Sequence, residues 1–190
     1  MGLKSDKWIR KQADKFGLIE PYEGGVIRHT QSGQAILSYG TSSYGYDLRC
    51  ASKFKLFNNM AAQVLDPKSF DASNFVDLVS SSCVIPPGGF ALAHSVEYLR
   101  MPKDVLGIVL AKTTYARCGL SIQASPLEPG WHGNVTFSIA NSTPLPIRVH
   151  ANEGIAQVLF FQGDEVCASD YSARRGLYQG QRGLVMPKTT

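Results

Sequence analysis

The spacing of apolar residues changes once along this chain. Between residues 6 and 16, Trp8, Ile9, Gln12, Ala13 and Phe16 recur at three- and four-residue steps and mark one side of an α-helix. Ser5 or Asp6 can cap its start, and Gly17 suits a left-handed exit. After a turn marked by Pro21, Gly24 and Gly25, the sequence reads as short strands. These are predicted at 26–29, 34–38, 44–50, 53–57, 63–66, 75–79, 83–85, 90–95, 105–110, 119–124, 133–140, 145–150 and 154–161. Prolines and glycines separate them, and no βαβ alternation occurs, so a mostly-β fold is expected. The clearest alternation runs over 135–140. Val135, Phe137 and Ile139 share one face, and Thr136, Ser138 and Ala140 the other. Residues 113–118 break the β pattern and predict a short helix or turn closed by Gly119. No internal repeat stands out.

Length and composition narrow the classes. The 190 residues, 20.7 kDa, point to one domain over 1–190. With 44% hydrophobic and 18% charged residues, the chain can build a core and is not of disordered composition. Nowhere do about 18 apolar residues run together, so no membrane association is expected. The opening segment does not read as a signal peptide, and Cys50, Cys83, Cys118 and Cys167 form no C-x-x-C pair. A reducing cytoplasm is the expected compartment. The net charge of +4 permits an anionic ligand without requiring a nucleic acid polymer, and none is expected. Basic residues concentrate only near the end, at Arg174, Arg175, Arg182 and Lys188. Solubility and phosphate binding are both open readings of that cluster.

Common catalytic motifs are absent. His29, His94, His132 and His150 form no H-E-x-x-H, and there is no P-loop, G-x-G-x-x-G run or G-x-S-x-G elbow. No metal site is expected from the chain itself. Four segments stand out instead: SYGYDLR (43–49), AKTTYARCG (111–119), SPLEPGWHG (125–133) and YQGQRG (178–183). Asp47 in the first reads either as a buried anchor or as a ligand contact. Lys112, Thr113, Thr114 and Arg117 in the second form a cluster suited to phosphate oxygens or to a plain charged surface. The third is a stiff loop around Pro126, Pro129, Gly130 and Trp131. The last twenty residues read as a flap over a ligand or as a frayed tail.

In their order and density, these segments resemble the deoxycytidine triphosphate deaminases, which share a superfamily with the trimeric dUTPases. The resemblance runs over nearly all 190 residues, from KSDKWIRK to YQGQRG. It implies a distorted, dUTPase-like jelly-roll barrel with an N-terminal helix and a C-terminal flap over 168–190. It implies a homotrimer with sites between subunits, dCTP or a related pyrimidine deoxynucleotide as ligand, Mg2+ carried by the triphosphate, and no zinc. By resemblance, Thr113 and Arg117 stand near the base, while Lys112 and Thr114 reach a phosphate chain from a neighbouring subunit. The backbone of Gln123, Ala124, Ser125 and Pro126 reads the pyrimidine edge, Trp131 lies beside the pocket, and Tyr171 and Gln181 close it.

Two positions depart from the family pattern. The strand after the tryptophan loop usually reads V-T-L-E-F-S-N, and here the catalytic glutamate falls on Ser138. A carboxylate can both deprotonate water and protonate a leaving amine, whereas an unactivated serine cannot at neutral pH. The flap usually reads K-Y-Q-G-Q-R-G, and Leu177 stands for the lysine, with Arg174 or Arg175 available to compensate. Three readings therefore stand: a dCTP deaminase-like enzyme of impaired activity, a dUTPase-like pyrophosphohydrolase using Asp47 and magnesium, and a silent nucleotide-binding homologue.

Overall fold

The computed structural model describes residues 2–58 and 64–188. Helix α1 (Asp6–Phe16) turns Ile9 and Ala13 inward. It ends at Gly17, whose φ of 63° lets its amide donate back to the Ala13 carbonyl at 3.0 Å. The ring of Trp8 lies 5.9 Å from that of Phe160, which fixes the helix against the sheet behind it.

The remaining structure is mostly strand. In chain order the strands are β1 (Gly2–Leu3), β2 (Ile19–Glu20), β3 (Val26–His29), β4 (Ala35–Ser42), β5 (Gly45–Arg49), β6 (Lys53–Phe57) and β7 (Phe75–Val79). They continue with β8 (Ser82–Ile85), β9 (Phe90–Arg100), β10 (Val105–Ala111), β11 (Leu120–Gln123), β12 (His132–Asn141), β13 (Ile147–His150) and β14 (Gly154–Gln162). Helix α2 (Thr113–Arg117) joins β10 to β11 and stops before Gly119, as the sequence predicts. One sheet runs β1-β14-β5-β4-β3 with β10 also on β14. The second runs β11-β12-β9-β6-β7 with β2 also on β9. Strands β8 and β13 form a separate pair.

The mostly-β expectation holds, and the jelly-roll barrel does not. Each six-stranded sheet is open, and neither closes into a barrel. Closure needs a ladder between end strands. Among the described residues, the β-bridge at the junction of the sheets is the isolated pair Cys50↔Ser95, not a ladder. The two sheets instead share one filling of side chains. Tyr46 and Leu48 from the first and Phe54, Ala91, Phe137 and Ile139 from the second are each 0% exposed. A side chain such as Phe137 contributes roughly 1.5–3 kcal/mol by leaving water. At the junction, Glu97 accepts from the Arg49 amide at 2.9 Å and from Arg49 Nε at 2.7 Å. Burial pushes the Glu97 carboxyl above its ordinary range, and Arg49 partly offsets this.

Two strand expectations also change. Residues 64–66 of the strand expected at 63–66 are not strand, and residue 63 lies outside the described residues. The strand expected at 90–95 continues to Arg100. It does so through an irregularity between the pairs Asn134↔Tyr98 and Thr136↔His94, where β9 carries extra residues. Asn134 holds the bulge by donating from Nδ2 to the carbonyls of Ser95 and Glu97, both at 3.1 Å. A six-residue alternation does not reveal that a strand continues past a bulge.

Candidate active site

On β12, Val135, Phe137 and Ile139 are buried in the core, and the intervening residues face away from it. Ser138 is therefore directed as the alternation predicts. Across the sheet it stands opposite Gln123 of β11 on one side and Leu92 of β9 on the other. This row forms the floor of a cavity of about 610 Å³. Thr136, one step along the same face, also lines it.

The loop after β11 supplies one wall. Ala124, Ser125, Pro126 and Glu128 line the cavity. Leu127 locks the loop in place, exchanging two 2.8 Å backbone hydrogen bonds with Gly107 of β10. Gly130 has a φ of 76°, and a Cβ there would lie 2.8 Å from the Asp170 carboxyl carbon. The turn thus needs glycine for conformation and for space. It delivers Trp131 to the cavity edge, almost fully buried, with Nε1 donating to the Tyr178 carbonyl at 3.0 Å.

The C-terminal segment supplies a further part of the lining. The tail is not frayed over its described residues. Gln181 forms a parallel bridge with Gly133, and the Asn134 amide donates to the Gln181 carbonyl at 3.0 Å. Gln181 Nε2 donates to the Asn134 carbonyl at 2.5 Å, and the Gly183 amide to Asn134 Oδ1 at 2.9 Å. Upstream, the Tyr171 amide donates to the Pro129 carbonyl at 2.9 Å, and the Tyr171 hydroxyl accepts from the Tyr178 amide at 3.1 Å. Asp170 anchors this turn, accepting from the Ala173 amide at 2.7 Å, which holds its carboxyl below the ordinary carboxylate range. Tyr171, Tyr178 and Gln181 all line the cavity.

The structure thus brings Gln123, Ala124, Ser125, Pro126, Trp131, Ser138, Tyr171 and Gln181 to one cavity. It keeps the α2 cluster away from it. Thr113, Thr114 and Arg117 lie on the exposed side of α2, while Tyr115 turns inward and accepts from the His150 amide at 2.9 Å. Lys112 donates to Asp47 Oδ2 at 2.5 Å, and both side chains are largely buried. Asp47 is thereby an anchor between β5 and the start of α2, and is not among the cavity's lining residues. Arg174 pairs with Glu128 and lies over the Tyr171 ring, and Arg175 is exposed.

Sequence reasoning missed Leu92, Glu128, Thr136 and Tyr178 as lining residues. The available signal was parity: Thr136 shares its face with Ser138. Lys188 also returns to the site. Its amide donates to the Tyr178 hydroxyl at 3.1 Å, and its ammonium donates to the Leu177 carbonyl at 3.2 Å. Among the described residues, no three His, Cys, Asp or Glu side chains converge to hold a metal ion, and no helix is long and apolar enough to cross a membrane. The four cysteines are free thiols.

Comparison with known proteins gives this geometry its context. Residues 3–163 match a family described as dCTP deaminase-like. The chain is 56% identical over 189 residues to the dCTP deaminase of Teredinibacter turnerae and 54% identical to that of Xanthomonas campestris pv. campestris, with both chains covered completely. Among solved structures, it resembles the 2'-deoxycytidine 5'-triphosphate deaminase of Agrobacterium tumefaciens in fold. The TM-score is 0.61 at 18% identity, over 85% of this chain and 48% of that one, so the chain spans about half of that protein. With its full length matched at more than half identity, the chain belongs to the dCTP deaminase family.

Proposed function

We propose that this chain serves pyrimidine deoxynucleotide metabolism as a dCTP deaminase-type hydrolase without zinc, taking dCTP and water toward dUTP and ammonia. The observation that carries this reading is the single cavity in which the 123–126 loop, Trp131, Ser138 and the C-terminal segment meet. The backbone of Gln123, Ala124, Ser125 and Pro126 reads the pyrimidine edge, Trp131 packs beside the ring, and Tyr171 and Gln181 close over the nucleotide. Magnesium enters with the triphosphate as part of the substrate. Arg174, held by Glu128, lies at the rim, and Arg175 contributes charge from solvent. In this reading residues 1–190 act as one domain with its flap at 168–190, among the soluble nucleotides of the cytoplasm.

A homotrimer completes the site. Thr113, Thr114 and Arg117 are exposed and lie outside their own chain's cavity, which supports their use by a neighbouring copy. Thr113 and Arg117 would approach the base there, and Thr114 the phosphates, with Lys112 holding the start of α2 through Asp47.

Deamination adds water at C4 and expels the amine, so one group must accept a proton and return it. Ser138 occupies the floor without a carboxylate. Glu128 is the one acidic lining residue among those described, and it is paired with Arg174. We infer that this chain binds dCTP and turns it over slowly. Binding without turnover is the second reading, and Ser138 and Leu177 favour it. The pyrophosphohydrolase reading loses support because Asp47 is engaged by Lys112. The test is incubation with magnesium and dCTP, measuring ammonia and pyrophosphate in parallel. Slow ammonia release supports the proposal. Pyrophosphate release, or failure to bind dCTP, overturns it.

A further inference from the structure

Trp131 also lines a second hollow, of about 320 Å³. Its lining includes Tyr98 and Arg100 from β9, His132 from β12, and Arg182 from the C-terminal segment. Arg100 and His132 are direct cross-strand partners, and Tyr98 stands two residues along the same face. The Tyr98 hydroxyl and His132 Nδ1 are 2.5 Å apart. Both arginines lie over the Tyr98 ring, with guanidinium carbons 5.0 Å (Arg100) and 4.7 Å (Arg182) from its centroid.

The charges here are unbalanced. Arg100 donates to the Gly17 carbonyl and to the exposed Glu20 carboxylate. Arg182 makes no ion pair among the described residues, and no acidic side chain lines the hollow. Two guanidinium groups gathered over one ring repel each other. Stacking on an aromatic face leaves the in-plane N–H groups of Arg182 pointing outward, the geometry that recognises an oxyanion, while Arg100 spends one N–H on Gly17 and one on Glu20 and keeps the others. The hollow also needs both parts of the molecule: Arg100 and His132 belong to the body, whereas Arg182 arrives only when the C-terminal segment is seated.

We propose that this hollow is a second, phosphate-class anion site, separate from the deoxynucleotide cavity, and that an anion bound there pins the C-terminal segment to the body. Its ligand is a free phosphate or pyrophosphate, or the phosphate end of a nucleotide. The site does not depend on whether Ser138 supports turnover.

The test is calorimetric titration of the full chain with pyrophosphate at low ionic strength, alone and with saturating deoxycytidine or dCTP. Arg182→Gln should weaken binding by about tenfold or more, as expected for loss of a charge-assisted contact. Arg28→Gln, an exposed substitution on β3, should leave it unchanged. Pyrophosphate should also slow proteolysis of the C-terminal segment in the unmodified chain and not in Arg182→Gln. Arg100→Gln tests the other half of the site, and because Arg182 is exposed, its variant serves even if the Arg100 variant fails to fold. Retained binding in deoxycytidine supports the site. With deoxycytidine ineffective, displacement by dCTP means that nucleotide phosphates reach the hollow, and no displacement means a free anion occupies it. Unchanged affinity in folded Arg182→Gln, or displacement by deoxycytidine, would overturn the proposal.

Discussion

Ser138 concentrates the question of activity in one side chain. Its place between Gln123 and Leu92 puts it on the cavity floor with its backbone already fixed by two neighbouring strands. Ser138→Glu should therefore raise ammonia release from dCTP by roughly 10²–10⁴-fold, the usual worth of positioned acid–base help. The cavity surroundings must hold the new carboxyl near the working pH for this to happen. A folded variant that binds dCTP with no gain would favour a silent binding protein. The orientation of Ser138 was legible in the sequence, because residues two apart on a strand share a face. The partner of Lys112 was not. Asp47 lies 65 positions away, and the two come together because β14 pairs with β5 on one side and with β10 on the other. Adjacency in the segment AKTTYARCG likewise hid the division between a buried Lys112 and the exposed hydroxyls that follow it.

The turn that begins the C-terminal segment is anchored on the Asp170 carboxyl, so its seating should depend on pH. The Asp170 carboxyl is depressed chiefly by the Ala173 amide, from an ordinary value of 3.8. A depressed carboxyl stabilises the seated form above its ordinary value, and that contribution is lost as pH falls through the depressed one. Backbone amide NMR of Ala173 and Gly183 should show release below about pH 4. Asp170→Asn should loosen both amides already at neutral pH, and an unaltered spectrum would sink the idea. The Lys188 ammonium donates to the carbonyl of Leu177, the position where the family pattern has a lysine. Lys188→Gln should weaken dCTP binding by about threefold to tenfold, in the range of a partly exposed charge contact, and dCMP much less. Equal losses for the two nucleotides would remove Lys188 from the phosphate end. Helix α1 was readable because its spacing and its Gly17 exit are local signals. The open sheets were not, because which strands pair at a sheet edge is decided by residues far apart in sequence. A run of short strands is equally compatible with a closed barrel.

At the scale of the whole molecule, edges and exposed surface favour self-association. Strand β7 ends its sheet, and Val76 and Val79 are 50% and 74% exposed. Edge strands and apolar surface of this kind are commonly covered in symmetric oligomers. Sedimentation equilibrium should give three times the 20.7 kDa of the chain, and the mass of one chain would remove the shared-site model. The Lys112–Asp47 pair then acquires a genetic meaning. In a shared-site trimer, the pocket floor and the helix reaching that pocket belong to different chains. A chain damaged at Asp47 keeps its own floor but fails its neighbour, whereas a chain with Ser138 keeps its helix but lacks the proton carrier. Co-expressing Asp47→Asn,Ser138→Glu chains with unmodified chains should therefore yield complementing hybrids, more active than either parent assembled alone.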